Sequence, residues 1–239
     1  MFRELTLKEF ENYLKTEDLK TIKGSTIHHT WSPTTGSWRG QSTMEAIKNY
    51  HVGTRGFSTI AADFYVAPDG QIYVARGLKY KNGAHAYVSK GWSSVPANVR
   101  KFCDGNKQAL NYYTAGFEIV GNYDSEDPST SSAVNLTLAA VRVMHRTLGL
   151  DGNNIFFHRD VADKSCPGNK MDYEWFTKTV NSPAKLSSVV LGPDGTEIKC
   201  YPEVEDGRTR GEVRAIAEAL GYKIQYRNID GIDVIRIEA

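Results

Sequence analysis

Apolar residues recur along this chain first at helical and then at strand spacing. Leu7, Phe10, Tyr13 and Leu14 fall three and four apart and predict a helix over residues 6–19. Thr26-Ile27-His28-His29-Thr30 is short and β-branched, and predicts a strand end running into the turn-rich stretch Trp31 to Trp38. Ser42 or Thr43 can cap a helix from Met44 to about His51, with Ile47 and Tyr50 on one face. Residues 59–66 read as a strand, Ala67-Pro68-Asp69-Gly70 as a hairpin turn and residues 71–75 as the return strand. From Gly77 to Tyr113 no period is clear. That stretch holds His85, Trp92 and Cys103, and irregular segments of such length are usually functional in a compact domain.

The second half is more regular. Ala115 to Gly121 reads as a buried strand with a single carboxylate, Glu118, in its middle. A polar loop over 124–134 precedes a helix from Thr137 to Leu148, striped by Val141, Met144 and Leu148 and stopped at Gly149. Ile155-Phe156-Phe157 is a short strand that delivers His158, and a helix from Tyr173 to Val180 closes the domain. Strands interleaved with helices predict an α/β fold over residues 1–180, a mixed central β-sheet flanked by helices. Residues 181–188 have the composition of a linker. Beyond it, residues 189–239 predict a small C-terminal α+β domain. A hairpin turns at Gly192-Pro193-Asp194-Gly195, and a helix with a capping box at Thr209 and Glu212 carries Val213, Ile216, Ala217 and Leu220. Two strands, at 224–226 and 232–237, flank an Asp230-Gly231 turn. A unit of that size is marginal alone.

Composition narrows the function classes. The 239 residues carry a net charge of +1, so no strong field advertises nucleic acid or an acidic membrane surface. The N-terminal residues contain no uninterrupted apolar segment and no run is long enough to span a bilayer, so membrane insertion is not expected. Three cysteines (Cys103, Cys166 and Cys200) at wide spacing fit a reducing compartment better than a disulfide scaffold. The expectation is a protein made in a cytoplasm without an export address of its own. Oligomeric state is not legible.

His158 and Cys166 share one loop at a strand end, with Lys164 two residues before the thiol. Catalytic zinc sites use three protein ligands and leave one position for water. The third ligand has to come from elsewhere, and His28 or His29, also at a strand end, are the candidates. The plainer alternative for any one of these histidines is a side chain hydrogen-bonded to backbone. Glu118 in an apolar strand is costly unless paired or functional; the alternative to a proton shuttle is an ion pair with a buried Arg. Lys164 is either a stabiliser of negative charge beside the ligands or a solvated lysine.

Three segments together resemble a known family: Ile27-His28-His29-Thr30; Gly116-Phe117-Glu118-Ile119-Val120-Gly121; and His158-Arg159-Asp160 through Lys164-Ser165-Cys166-Pro167-Gly168. In order and rough spacing, over about residues 22–180, they resemble the type 2 N-acetylmuramoyl-L-alanine amidases, which share a fold with the peptidoglycan-recognition proteins and include many bacteriophage endolysins. The resemblance implies Zn2+ as cofactor, His28, His158 and Cys166 as its ligands, and bacterial peptidoglycan as substrate. The reaction it implies is hydrolysis of the amide between the lactyl group of muramic acid and L-alanine. It implies Glu118 as proton shuttle and His85, in Gly83-Ala84-His85-Ala86, as a residue lining the substrate groove, while Lys164, a cation in the same loop as two ligands, is the candidate oxyanion stabiliser. Some members place a tyrosine two residues before the Phe of the central strand; here that position is Ala62, which leaves the role to Glu118 unless the register differs and brings in Tyr65. Recognition relatives that bind without cutting lack the cysteine ligand, so Cys166 disfavours a binding-only protein. His29 reads as structural support, His51 as a packing residue on its helix, His145 as solvated, and Cys103 and Cys200 as ordinary thiols. Residues 189–239 resemble the hairpin-helix-hairpin domain of copper amine oxidases and bacterial surface proteins, and are read as a cell-wall-targeting module, with a stabilising or dimerising appendage as the alternative. An amidase domain followed by a small module is the layout of a phage endolysin that accumulates in the host cytoplasm and reaches the wall through a holin pore. A prophage-derived autolysin would run the same chemistry.

Overall fold

Residues 1–181 are built on a six-stranded mixed sheet. Its strands are β1 (Arg3–Leu5), β2 (Gly24–His29), β3 (Phe64–Val66), β4 (Ile72–Val74), β5 (Thr114–Ile119) and β6 (Ile155–Phe157), in spatial order β1-β4-β3-β5-β2-β6. β3, β5, β2 and β6 run parallel, β4 pairs antiparallel to β3, and β1 antiparallel to β4. The helices are α1 (Leu7–Thr16), α2 (Gln41–Asn49), α3 (Ala97–Cys103), α4 (Ala109–Tyr113), α5 (Ser132–Leu148) and α6 (Tyr173–Asn181). This computed structural model describes residues 1–17, 19–78, 86–150, 152–182, 188–191, 197–200, 223–229 and 232–238.

Alternation along the strands divides the sheet into two chemically different faces. Ile27, Phe64, Val66, Phe117, Ile119, Ile155 and Phe157 join Phe10 and Leu14 of α1, Val141 and Met144 of α5 and Phe176 of α6 in the main core. The intervening residues point the other way. Tyr65 and Val120 there pack with Trp38, Met44, Ile60 and Ala62, and Phe156 packs with Val99 and Cys103 of α3 and Leu110 of α4. On this second face the register sets Tyr65 beside Glu118 and Glu118 beside His28. Phe157 pairs with Ile27, so the chain leaves β6 and presents His158 next to His28.

β2 lies between β5 and β6 and all six of its residues are buried, although only Ile27 is aliphatic. Its two hydroxyl residues are satisfied locally: Ser25 Oγ lies 2.8 Å from His145 Nε2 and Thr26 Oγ1 2.7 Å from Thr114 Oγ1. His145 is therefore a buried partner of Ser25 rather than the solvated helix residue the sequence suggested. The nearby ion pair Asp63–Arg76 (3.3 Å) is almost wholly buried, and Asp63 Oδ2 also accepts from the Gly116 N–H at 2.8 Å, tying the start of β5 to the segment before β3.

Several expected boundaries shift. Thr6 caps α1 and forms a reciprocal capping box with Glu9, starting the helix where the periodicity put it. α2 begins earlier than expected, behind Gly40 at φ +62° and without a side-chain cap; Ser42 instead donates to the Arg39 carbonyl, and Tyr50 is half exposed beyond the helix end. The strand expected from residue 59 is confined to Phe64–Val66, because Ala62 adopts a left-handed φ of +62° that a strand cannot continue through. The stretch without a period contains α3 and α4, both short. α5 starts at Ser132 rather than Thr137, capped by the Ser131 hydroxyl. β1 was not anticipated.

Contacts divide the chain into Met1–Asn181 and Ser182–Ala239. In the second unit β7 (Ser188–Leu191), β8 (Glu197–Cys200), β9 (Lys223–Ile229) and β10 (Ile232–Glu238) form a sheet in the order β8-β7-β10-β9. β7–β8 and β9–β10 are the two antiparallel pairs expected from the sequence, joined by a parallel β7–β10 pairing. The helix expected after Thr209 lies outside the described residues, as does His85.

Candidate metal centre

Three parallel strands end on one side of the sheet, the usual place for a ligand site in such architectures. β2 carries His28 next to its last residue, β6 releases His158 directly after its end, and β5 carries Glu118 in register with His28. His158 opens a short 3-10 turn over His158–Asp160, where the Asp160 carboxylate accepts the Phe157 N–H at 2.8 Å and holds the turn against β6. The loop then returns to place Cys166 beside His28.

The three donor atoms converge. His28 Nδ1 and His158 Nδ1 are 3.0 Å apart, Cys166 Sγ is 3.7 Å from His28 Nδ1, and all three donors lie within 4.8 Å of one another. A tetrahedral zinc ion with two nitrogen ligands and one sulfur ligand requires donor separations of roughly 3.3–3.6 Å. The 3.0 and 3.7 Å separations bracket that range, and the chemistry fits: imidazole and thiolate donors suit zinc rather than magnesium or calcium. Burial, with smaller contributions from Lys164 and His29, pushes the His158 imidazolium down to about 4, so this ring is a neutral donor at physiological pH. Burial also pushes the Cys166 thiol up, more than offsetting the His29 N–H directed at the sulfur, so a metal ion has to displace its proton. His28 is 3% and Cys166 9% exposed, while His158 is partly exposed, so the donor cluster is reached from the side of His158.

Glu118 lies in the same cross-strand row. Desolvation raises its pKa to about 8, with the Lys164 charge pulling the other way. Lys164 is exposed, and its charge acts on Glu118, His158 and Cys166 together, which places it at the mouth of the cluster. Of the sequence-predicted residues, His28, His158, Cys166, Glu118 and Lys164 are thus brought together. The buried Arg that could have paired with a strand carboxylate, Arg76, is paired with Asp63. His29 points away from the donors: its Nδ1 accepts the Tyr123 N–H at 3.1 Å and its ring stacks near Tyr123. His51 stacks on Phe57, and its Nδ1 accepts the Ala61 N–H at 3.3 Å, a packing role. Ala62 is buried before β3, and the register Phe64↔Phe117, Tyr65↔Glu118 puts Tyr65 in the row with Glu118 and His28.

Arg159 was quoted in the motif without a role. Its guanidinium donates to the carbonyls of Gly168 (2.7 Å) and Met171 (2.6 Å), its backbone N–H donates to the Cys166 carbonyl (2.7 Å), and it covers the Phe157 ring. It shapes the loop that carries the thiol. Nothing in the sequence marks it, because a guanidinium in a polar loop looks solvated until its carbonyl partners are known.

The family model for N-acetylmuramoyl-L-alanine amidases (Amidase_2) matches residues 18–169, the segment that contains every residue of the donor cluster. The chain belongs to this family, and the mixed six-stranded sheet flanked by helices is the fold the family shares with peptidoglycan-recognition proteins. Among curated proteins, peptidoglycan-recognition protein SC1a of Drosophila melanogaster is 27% identical over 149 residues, 59% of this chain and 65% of that protein. Peptidoglycan-recognition protein 1 of Holotrichia diomphalia is 26% identical over 168 residues, 66% of this chain and 73% of the other. The chain thus spans just under two thirds of the first of these relatives. Similar solved structures include Drosophila PGRP-LB (22% identity, TM-score 0.48, 64% of this chain and 78% of that one). The endolysin amidase LysCS of Clostridium intestinale is another (23%, 0.46, 68% and 87%).

Proposed function

We propose that this protein is a zinc-dependent N-acetylmuramoyl-L-alanine amidase that hydrolyses the amide between the lactyl group of MurNAc and L-alanine in bacterial peptidoglycan, acting as a phage endolysin in host lysis. The observation that carries this reading is the convergence of His28, His158 and Cys166 within 4.8 Å, inside a chain of the amidase family. Those three residues would hold the ion, which when bound supplies the Lewis acidity that activates water and polarises an amide carbonyl. Glu118 is assigned the transfer of the proton from the attacking water to the departing amine of L-alanine. Its raised pKa suits both halves of that transfer near neutral pH. The carbonyl carbon gains the water oxygen, the C–N bond breaks, the amine of L-alanine departs with the proton, and the lactyl group remains on MurNAc as a carboxylate. Lys164 offsets the negative charge that develops on the carbonyl oxygen. His85 is assigned to the substrate groove by family resemblance. The Cys166 thiol favours turnover over recognition alone, because a donor set of two imidazoles and a thiolate leaves a tetrahedral ion one position for water. Residues 189–239 are assigned to wall targeting, which would raise the local enzyme concentration on an insoluble substrate.

The test is the release of L-alanine-terminated peptides from purified cell walls. Release should stop on chelation and return with zinc, Cys166→Ser should abolish it, and Glu118→Ala should cost about 10²–10⁴-fold. Hydrolysis that survives chelation or Cys166→Ser would overturn the zinc assignment, and a loss below about tenfold would remove Glu118 as the main acid–base group. For the endolysin role, bacteria expressing the chain should lyse only once their inner membrane is permeabilised; continued integrity after permeabilisation counts against it.

A further inference from the structure

The loop carrying Cys166 is shaped from within by Arg159, but its place over β2 is set from outside. Cys166 contributes a donor only if the loop stays where its sulfur lies 3.7 Å from His28 Nδ1. The bonds that hold it there come from the turn after β5. Asp124 Oδ2 accepts from the Ser165 hydroxyl at 2.8 Å, and Asp124 Oδ1 accepts from the Asn169 N–H at 2.8 Å, so one carboxylate grips the loop on both sides of Cys166. The grip is backed by the main chain. The Lys170 N–H donates to the Tyr123 carbonyl at 3.0 Å, and the Lys170 ammonium reaches the Ser125 carbonyl at 2.5 Å. Gly168, at φ +118°, lies so close to Tyr123 that a Cβ would fall 2.4 Å from its carbonyl carbon. On its other side the same turn is anchored to β2, through the Tyr123 N–H and His29 Nδ1.

We infer that Asp124 is a positioning residue for the metal site: by holding Ser165 and Asn169 it fixes the Cys166 thiol opposite His28 and His158, and so sets the affinity for zinc. The inference rests on the zinc reading above. Asp124 touches none of the three donors; it acts through the loop. Groups that orient metal ligands from behind typically contribute about 10–100-fold in metal affinity.

The experiment measures zinc affinity of the full chain by competition with a chromogenic chelator, with circular dichroism and thermal unfolding of each metal-free variant alongside. Asp124→Ala should weaken zinc binding about 10–100-fold. Ser165→Ala, which removes one of the two bonds, should show an intermediate loss. Asp124→Asn should stay close to wild type, since its Oδ1 can accept from the Asn169 N–H while its Nδ2 donates to Ser165 Oγ. Affinity in Asp124→Ala equal to wild type would overturn the inference, and so would Asp124→Asn as weak as Asp124→Ala, because that pattern marks charge rather than hydrogen bonding. Should Asp124→Ala fail to fold, the Asn and Ser165→Ala variants decide: a Ser165→Ala affinity unchanged from wild type rejects the clamp. A wild-type chain that takes up no zinc overturns the zinc reading and the clamp together, whereas wild-type uptake with unchanged variants overturns the clamp alone.

Discussion

Glu118 shows at the scale of one residue how a desolvated carboxylate opposes folding. Burial raises its pKa from 4.5 to about 8, so in the metal-free protein the folded state binds its proton more tightly than the unfolded chain does. The sign follows from linkage: the contribution is fully present below the unfolded pKa and is lost as pH rises through the folded one, between about 4.5 and about 8. Glu118→Gln, which carries no charge at any pH, should therefore raise the melting temperature of metal-free protein at pH 8 and leave it nearly unchanged at pH 4. A thermal-unfolding series across that range checks this, and equal effects at both ends would show that the carboxyl is not desolvated. The residue was legible in the sequence for this same reason: a lone carboxylate in Ala115-Gly116-Phe117-Glu118-Ile119-Val120 contradicts its surroundings. Asp124 and Arg159 were not legible, because a carboxylate and a guanidinium in polar loops look like solvated surface until their carbonyl, hydroxyl and amide partners are known.

Among the elements, α5 binds the site's scaffold to the core. Ser131 caps it through a bond to the Val134 N–H, and the same hydroxyl lies 2.8 Å from the hydroxyl of Tyr123, the residue that anchors the turn beside Asp124. Ser131→Ala removes both contacts at once and should lower stability by about 1–2 kcal/mol, the upper part of the range for a lost cap. Chemical denaturation measures it, and a change under about 0.5 kcal/mol would mean the cap carries no weight. Periodicity found the body of this helix but not its first turn, where Val134 continues the stripe of Leu138 and Val141 but stands among the polar residues Ser131, Ser132 and Asn135. α3 and α4 escaped for a related reason: helices of seven and five residues complete too few turns for a period to emerge. β3 was over-extended because alternation was read through Ala62, whose left-handed backbone no composition rule announces. The central strands were read correctly where β-branched and aromatic residues are dense, in Ile155-Phe156-Phe157 above all.

For the whole molecule, the division at Asn181/Ser182 separates the donor cluster from the C-terminal sheet. All three donors, Glu118 and Lys164 lie in the first unit. A chain ending after residue 182 should bind zinc with wild-type stoichiometry and hydrolyse small soluble muropeptides at an unchanged rate, while sedimenting less with insoluble walls. Zinc analysis and co-sedimentation measure the two halves of that expectation. Unchanged sedimentation would reject wall targeting by residues 189–239, and loss of zinc would reject their independence. The order of strands and their pairing in the second sheet were only partly legible: both hairpins were readable from their turns, but the parallel β7–β10 pairing joins segments too far apart for local pattern to report.

The donors also lie far apart along the chain: 138 residues separate His28 from Cys166. The first histidine is synthesised early and the thiol late, and β2 finds its place only between two strands, β5 and β6, that follow it in the chain. A ribosome must therefore complete most of the first unit before the three donors can converge. On the zinc-amidase reading, a product of premature termination ahead of Cys166 lacks the thiol donor and should be inert, whereas one that ends beyond the first unit should not be.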